Sequence, residues 1–214
     1  MGNICLKLFS SKFDRYPYLY LTRMTQPLII GKNGQLSKSF RQVTDMNCTC
    51  LSSEDLDLRK TNFIKQILKE YNPSLILNFS SFNNVDLAES SYDSFLINSI
   101  AIKEISEFCF DSDIPLIHIS TDFVFDGTSG NYSEQSVTNP VNRYGESKYL
   151  GEKYIQEILS HYMIIRTSWL YSSQKDTGNF FNKILNSYLS EGAEFMGAYD
   201  SIGSPTSATT LSEF

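Results

Sequence analysis

Short apolar runs alternate with amphipathic stretches along this chain, and this alternation constrains the fold more than any other feature. Runs rich in branched residues predict strands at 28–30, 47–51, 73–79, 115–119 and 162–166. Apolar residues at helical spacing predict helices that end at about 42, that span 60–71 and 92–110, that start near 144, and that span 178–190. No segment repeats another. The alternation therefore predicts an α/β domain with a doubly wound parallel sheet.

The first predicted strand runs directly into a glycine turn and then into a helix. Gly31 permits a tight turn after the strand, and Gly34 lets the backbone approach a pyrophosphate at the unpaired N–H groups of the helix. Ser37 stands where a third glycine would give the closest packing of helix on strand. A glycine pair alone is weakly specific, but the flanking strand and helix make it a candidate nucleotide-binding turn.

The segment 114–153 carries the side chains best suited to chemistry. Its strand ends at Thr121 and Asp122, and ligands of open parallel sheets bind at the carboxyl ends of strands. Tyr144 and Lys148 stand four residues apart at the start of the next helix, so both lie on one face. A neighbouring cation lowers the pKa of a phenol from its usual value of about 10. We therefore expect Tyr144 to protonate a substrate oxygen that Thr121 holds.

The Tyr-x-x-x-Lys pattern occurs twice, so its position needs a separate argument. With thirteen tyrosines, one copy is expected roughly by chance. The second copy is Tyr149 with Lys153, and five residues advance a helix by about 140°, so the two pairs cannot share a face. We favour Tyr144, because Pro140 and Gly145 place it at a helix start and Ser-Thr-Asp precedes it.

Composition and charge argue against several classes of function. A formal net charge of −6 without a basic run argues against a nucleic-acid partner. The four cysteines lack the spacing of a zinc site or a disulfide framework, so we expect no metal and a cytoplasmic protein with reduced thiols. No stretch approaches the roughly 20 apolar residues of a membrane span, so no membrane partner is expected. His118 alternates with apolar residues in a strand, which favours a core histidine over a base.

Several polar residues keep two interpretations. Asp55 and Asp57, about twenty residues beyond the glycine turn, either cap the next helix or hold an adenosine ribose. Asn98 either bonds to the backbone, as its residue type favours, or joins a proton relay. Trp169 either packs in the core or stacks on a ligand at the rim of the site. No arginine after the second strand is clearly placed to bind a 2′-phosphate.

An ordered series of motifs resembles the dTDP-4-dehydrorhamnose reductase family, extended short-chain dehydrogenases with a Rossmann fold. The series runs from 28 to about 213 through GKNGQL, NFSSFNNVDLAES, STDFVFDG, PVNRYGESKYLGEK, RTSWLY and GSPT. The resemblance implies a reductase of nucleotide-sugar biosynthesis that uses NADPH or NADH. It implies hydride transfer to the C4 carbonyl of a 4-keto sugar nucleotide, with Tyr144 as proton donor and Lys148 on the nicotinamide ribose.

The resemblance also implies site residues position by position. The catalytic residues would be Thr121, Tyr144 and Lys148. The cofactor would be bound by the glycine turn, two loops and the catalytic pair, namely Gly31, Asn33, Gly34, Gln35, Leu36, Asp57, Leu58, Ser81, Phe82, Asn83, Tyr144 and Lys148. A sugar nucleotide of the dTDP-4-keto-6-deoxysugar class would contact Thr121, Asp122 and Trp169. The oligomeric state stays open, with a homodimer as one option.

The chain departs from the family pattern in its length and in small residues. Residues 1–23 carry no period, so we interpret 24–214 as the nucleotide-binding domain and 1–23 as an N-terminal extension, with Met24 as an alternative start. Family members usually continue for about 80 further residues, so most of the substrate-binding part is expected to be missing. Ser80 and Ser81 stand where small alanines are commoner.

Two other functions stay open beside the reductase. One is a non-catalytic nucleotide-binding subunit, because the regulatory subunit of methionine adenosyltransferase resembles the same family. The other is a sugar-nucleotide epimerase or dehydratase that keeps NAD bound through turnover. A dehydratase needs further acid and base residues beside Thr121, where we find only Asp122. The retained Thr, Tyr and Lys favour the reductase.

Overall fold

The computed structural model of the protein describes residues 5–9, 26–172, 180–189 and 202–214. Its strands are β1 Cys5–Phe9, β2 Pro27–Ile30, β3 Thr49–Leu51, β4 Leu75–Asn78, β5 Leu116–Thr121, β6 Tyr162–Thr167, β7 Leu170–Tyr171 and β8 Thr206–Ser207. Its α-helices are α1 Gln35–Val43, α2 Ile64–Tyr71, α3 Val85–Ala88, α4 Asp93–Phe95, α5 Ala101–Asp111, α6 Arg143–Ile158, α7 Phe180–Leu189 and α8 Ala208–Glu213. Two 3-10 turns, Thr61–Phe63 and Asp122–Val124, and a π-helical turn, Leu96–Ile100, complete the described elements.

Six strands form one sheet in the order β1-β6-β5-β4-β2-β3. Strands β2 to β6 are parallel, and β1 pairs antiparallel with β6. After β3 the chain crosses to the other side of β2 to form β4. The strand order therefore reverses between β2 and β4, which opens a crevice at their carboxyl ends. The predicted parallel sheet is confirmed, whereas β1, within the segment interpreted as an extension, was not predicted.

Alternate residues of the central strands belong to two hydrophobic cores on opposite faces of the sheet. Leu28 and Ile30 of β2 join the larger core, which includes residues of α2, α5 and α6. Ile29 joins a smaller core with Leu75 and Leu77, against which Phe40 of α1 packs. Because successive side chains of a strand point to opposite faces, helices cover both sides of the sheet. This is the doubly wound arrangement that the alternation predicted.

The predicted helix 92–110 is present, but a π-helical turn interrupts it, and α6 packs closely on that turn. A Cβ placed on Gly151 of α6 would lie 2.2 Å from the carbonyl oxygen of Asn98. The ends of the predicted helix 178–190 lie outside the described residues. The close contact at Gly151 sets the distance between the π-helical turn and α6, the helix that carries Tyr144 and Lys148.

Replacing Gly151 by Ala is expected to lower the free energy of unfolding by about 1–3 kcal/mol, because backbone must move to admit the methyl group. In an ordinary helix the same change is stabilising, so the sign itself reports the contact. Urea unfolding measures the difference. Glu157→Ala, at an exposed position of the same helix, serves as the control and should change stability by less than about 0.5 kcal/mol. Equal midpoints for the two variants would contradict the close packing.

Candidate active site

A cleft of about 390 Å³ opens at the carboxyl ends of β2, β3 and β4. Gly31, with φ of +101°, turns the chain so closely over β4 that an added Cβ would lie 2.9 Å from the backbone nitrogen of Ser80. The turn is tied to β3, because the N–H groups of Gly31 and Lys32 both donate to the carbonyl of Leu51. Gly34 begins α1 with no side-chain cap. This glycine cradle at a helix N-terminus fits a dinucleotide phosphate.

The other predicted residues of the turn contribute in different ways. The side chain of Leu36 is buried in the domain, and Gln35 donates from Nε2 to the carbonyl of Leu170 in β7 at 2.7 Å. Their side chains are therefore engaged within the fold, and any contact with a phosphate would come from their backbone. Asn33 is exposed at the tip of the turn.

Asp55 and Asp57 follow β3, and their roles could not be distinguished from the sequence. In the structure they have different partners. Asp55 accepts hydrogen bonds from the N–H and hydroxyl of Ser52 and so closes a local turn. Asp57 lines the cleft with the buried Leu58 and forms an ion pair with Arg59, whose Nη2 lies 2.8 Å from Oδ2. Hydrogen bonding from Arg59 is the main cause that lowers the pKa of Asp57.

Arg59 also lines the cleft, and its side chain is 55% exposed. No arginine after the second strand was clearly placed from the sequence to bind a 2′-phosphate, and the structure brings Arg59 to the cleft. The signal was present as a basic residue two positions after the candidate ribose ligand. The direction of the Arg59 side chain depends on the turn that follows β3, and the spacing of apolar residues does not predict that turn.

The loop after β4 is held over the cleft by the π-helical turn. Ser81 and Phe82 line the cleft, whereas Asn83 is exposed and is not among the lining residues. The buried Asn98 accepts from the N–H of Phe82 at 2.9 Å and donates to its carbonyl at 3.0 Å. Asn98 also donates to the Ser147 hydroxyl at 3.0 Å. Of the two interpretations of Asn98, bonding to the backbone is the one observed.

Thr121, Tyr144 and Lys148 are all buried where β5 meets the first turns of α6. The ring of Tyr144 packs edge-on against Phe123, with 5.6 Å between centroids. Burial raises the pKa of Tyr144 to about 12, the negative charge of Asp122 adds to this rise, and a hydrogen bond with Thr121 opposes it. The predicted lowering of the tyrosine pKa by Lys148 is therefore absent from this arrangement.

Lys148 is directed towards β5. Its Nζ donates to the carbonyl of Ile119 at 2.6 Å and lies 3.3 Å from Nε2 of His118. Burial lowers the pKa of Lys148 to about 8, and the negative charge of Glu152 partly opposes this. Glu152 is itself buried and holds Arg166 through two hydrogen bonds, of 2.9 and 2.6 Å.

His118 is fully buried, as the prediction of a core histidine required, but it lies within the site. Its Nδ1 is 3.0 Å from Nδ2 of Asn78, the residue opposite it on β4. Sequence reasoning missed both contacts. The contact of His118 with Asn78 results from the pairing of β4 with β5. Its contact with Lys148 results from the packing of α6 on the sheet.

Asp122 and Trp169, predicted to contact substrate, follow the carboxyl ends of β5 and β6, and neither lines the cleft. Asp122 is half-buried and accepts from the hydroxyl of Thr121 at 3.2 Å, and burial raises its pKa. Trp169 adopts a left-handed backbone conformation and is 39% exposed, so it is not a core residue. An added Cβ on Gly203 would lie 2.7 Å from its indole, which places the tail loop directly against the ring.

The described part of the chain contains no cluster of three or more His, Cys, Asp or Glu residues that could hold a metal ion. Among the same residues, no helix combines the length and apolar character needed to cross a membrane.

The family model described as RmlD substrate binding domain matches residues 25–214. The chain is 31% identical over 188 residues to a dTDP-4-dehydrorhamnose reductase of Sinorhizobium fredii, covering 86% of this chain and 62% of that protein. It is 32% identical over 167 residues to a dTDP-4-keto-6-deoxy-D-glucose reductase of Streptomyces niveus, covering 76% and 57%. The chain thus spans less than two thirds of the length of these curated relatives.

A crystal structure of dTDP-4-dehydrorhamnose reductase from Bacillus anthracis, in complex with NADP, superposes with a TM-score of 0.79. The sequences are 32% identical, and the match covers 88% of this chain and 68% of that one. The similarity confirms the Rossmann architecture that the motifs implied.

Proposed function

The chain belongs to the dTDP-4-dehydrorhamnose reductase family, and on that premise we propose that it is an NAD(P)H-dependent reductase of a 4-keto sugar nucleotide. One observation carries the proposal. Thr121, Tyr144 and Lys148 are gathered at the carboxyl edge of the sheet, next to a glycine-cradled cleft. Asn78 and His118 connect the two, because Asn78 bonds both to Ser80 in the cleft and to the ring beside Lys148.

The residues of the cleft fit NADPH or NADH, which when bound supplies a hydride to the C4 carbonyl of the sugar. The turn at Gly31 and Gly34 would hold the diphosphate, Asp57 and Leu58 the adenosine side, and the loop at Ser81 the ribose side. Phe82, held by Asn98, fixes the shape of that loop.

Tyr144 acts as the proton donor in this proposal. A pKa of about 12 keeps its hydroxyl protonated at neutral pH, as a donor requires. As the carbonyl carbon is reduced, the hydroxyl proton passes to the carbonyl oxygen, which becomes the alcohol. Thr121 hydrogen-bonds the same oxygen and stabilises the charge that develops on it. The ammonium group of Lys148 would then stabilise the phenolate left on Tyr144.

The substrate proposed is a dTDP-4-keto-6-deoxysugar, which would contact Asp122 and Trp169. A half-exposed indole can stack on a sugar or a base, and Asp122 can accept from a sugar hydroxyl. We place the enzyme in the cytoplasm, in nucleotide-sugar biosynthesis, with a homodimer as its proposed assembly.

The proposal is tested by mixing the purified protein with a dTDP-4-keto-6-deoxysugar and following the absorbance of NADPH and NADH. We expect one cofactor oxidised for each sugar reduced, and no oxidation without the sugar. Cofactor binding without turnover would reject the reductase in favour of a nucleotide-binding subunit. Conversion of the sugar without net oxidation of added cofactor would indicate an epimerase or dehydratase.

Arg59 and Asp57 are expected to set the choice between the two cofactors in opposite directions. Arg59→Ala should weaken NADPH about tenfold relative to NADH, because an arginine at this wall can pair with the 2′-phosphate. Asp57→Asn should favour NADPH, because it removes a carboxylate that would repel that phosphate. Fluorescence titration of each variant with both cofactors measures the ratio, and NADH is the internal control. An equal loss for both cofactors would contradict the assignment.

A further inference from the structure

A directional chain of hydrogen bonds runs from the cofactor cleft to Lys148. It begins at the N–H of Ser80, which donates to Oδ1 of Asn78 at 3.2 Å. A backbone N–H is always a donor, so this contact fixes the orientation of the Asn78 amide. The amide nitrogen Nδ2 therefore faces Nδ1 of His118, at 3.0 Å. Because Nδ2 can only donate, Nδ1 of His118 must accept and carries no proton.

The tautomer of His118 follows from that contact. Burial, followed by the charge of Lys148, lowers the pKa of His118 well below its usual value, so the ring is neutral. A neutral imidazole without a proton on Nδ1 carries it on Nε2. That N–H points to Nζ of Lys148, 3.3 Å away.

The Nε2–H of His118 can donate to a neutral Lys148 amine, but it cannot donate to an ammonium. An ammonium group has three donors and no acceptor, whereas a neutral amine has a lone pair that can accept. The same Nζ donates to the carbonyl of Ile119 at 2.6 Å. A neutral Lys148 therefore completes the chain, because its lone pair can accept from the Nε2–H of His118, whereas an ammonium would face that proton.

We propose that Asn78, acting through the tautomer of His118, favours the neutral amine of Lys148 while the cofactor is absent. The two residues are positioning residues, since they act on a catalytic group and not on the substrate. Their effect on catalysis rests on the proposed reductase function, in which Lys148 works as a cation beside Tyr144 and the ribose. Burial raises the pKa of Tyr144, and Lys148, directed to β5, does not oppose that rise.

The charged and titratable groups around Lys148 come from several elements. They are Tyr144 and Glu152 on its own helix, His118 on β5, Asp122 in the turn after β5, and Arg166 on β6. The π-helical turn and α5 meet α6 with the neutral side chains of Asn98, Ser99 and Ile102. Glu152 favours the ammonium form of Lys148, although its carboxylate is also paired with Arg166. Burial opposes the ammonium, and the Nε2 proton of His118 acts in the same direction.

The consequence appears in the pH dependence of kcat/KM, which reports ionisations of the free enzyme. The pKa of Lys148 is lowered to about 8, so the ammonium is present below that pH and lost above it. The activity should therefore fall as the pH rises through about 8. Tyr144, with a pKa of about 12, titrates too high to cause this fall.

The tautomer is measured directly by ¹⁵N NMR of the histidine-labelled protein without cofactor. The chain has two histidines, so a His161→Gln variant assigns the signals. We expect Nε2 of His118 to carry the proton and Nδ1 to carry none. A proton on Nδ1, or on both nitrogens, would overturn the proposal. This measurement needs no substrate, so it stands or fails independently of the proposed reductase activity.

Asn78→Asp reverses the direction of the chain. Its carboxylate can accept from the Ser80 N–H and also from Nδ1–H of His118, which leaves Nε2 free to accept from an ammonium. We expect the His118 proton to move to Nδ1 and the fall in kcat/KM to shift up by about one pH unit. Asn84→Asp, the same change at an exposed helix cap, should move neither.

An Asn78→Asp protein that loses activity without a shift of the alkaline fall would overturn the proposal, because a purely structural role predicts that result. If the variant does not fold, the spectrum of the unaltered protein decides the matter alone. A protein with the expected tautomer but no turnover of any 4-keto sugar nucleotide would support this inference and reject the proposed function.

Discussion

Replacing Tyr144 by Phe is expected to lower kcat about 10²- to 10⁴-fold, the range that loss of a positioned proton donor produces. The change removes one oxygen atom and leaves the ring, whose edge-on contact with Phe123 holds it between β5 and α6. Burial has already removed that hydroxyl from water, so no bulk solvent molecule is placed to donate instead. We expect stability and cofactor affinity to stay close to those of the unaltered protein. Single-turnover oxidation of NADPH separates the chemical step from binding.

Tyr149→Phe is the matched control, because it makes the same change in the second copy of the Tyr-x-x-x-Lys pattern. Tyr149 packs against Val124 and Phe125 on a different side of α6. It should keep nearly full activity. If Tyr149→Phe loses turnover and Tyr144→Phe keeps it, the choice between the two copies is wrong. Loss of cofactor binding in Tyr144→Phe would instead mean that the hydroxyl contributes mainly to holding the cofactor.

The sheet was predictable because each buried parallel strand is a short run of branched apolar residues, and the length and composition of such runs distinguish them from helices. β1 escaped prediction because its place depends on a partner, β6, more than 150 residues away. The π-helical turn at Leu96–Ile100 also escaped prediction. One extra residue in a helical turn changes local hydrogen bonding but barely alters the spacing of apolar residues.

The site was predictable where position along an element decides function. Thr121 ends a strand, and Tyr144 and Lys148 share a helix face, but spacing alone did not separate this pair from Tyr149 and Lys153. The neighbouring Pro140 and Gly145 decided the choice. The direction of a long side chain could not be placed in that way. Lys148 reaches β5, where its Nζ donates to the carbonyl of Ile119 and lies 3.3 Å from Nε2 of His118. Such contacts between residues about 30 positions apart arise from tertiary packing.

Breaking the buried Glu152–Arg166 pair is expected to have the largest effect on stability. Both side chains are almost wholly buried, and Arg166 donates to both carboxylate oxygens while lying 5.0 Å from the ring centroid of Phe125. Glu152→Gln keeps the shape but leaves a buried cation without its anion. Loss of one partner of a buried pair costs about 3–5 kcal/mol. Urea unfolding should show this decrease in the free energy of unfolding.

The double variant Glu152→Leu with Arg166→Met distinguishes an unpaired charge from loss of the pair. It removes both charges and fills similar volume with apolar atoms, so it should be more stable than Glu152→Gln despite carrying more changes. Glu157→Gln, exposed on the same helix, should differ from the unaltered protein by less than about 0.5 kcal/mol. A double variant less stable than Glu152→Gln would mean that the pair itself stabilises the fold. The opposite order would mean that the cost lies in the uncompensated arginine and not in loss of the pair.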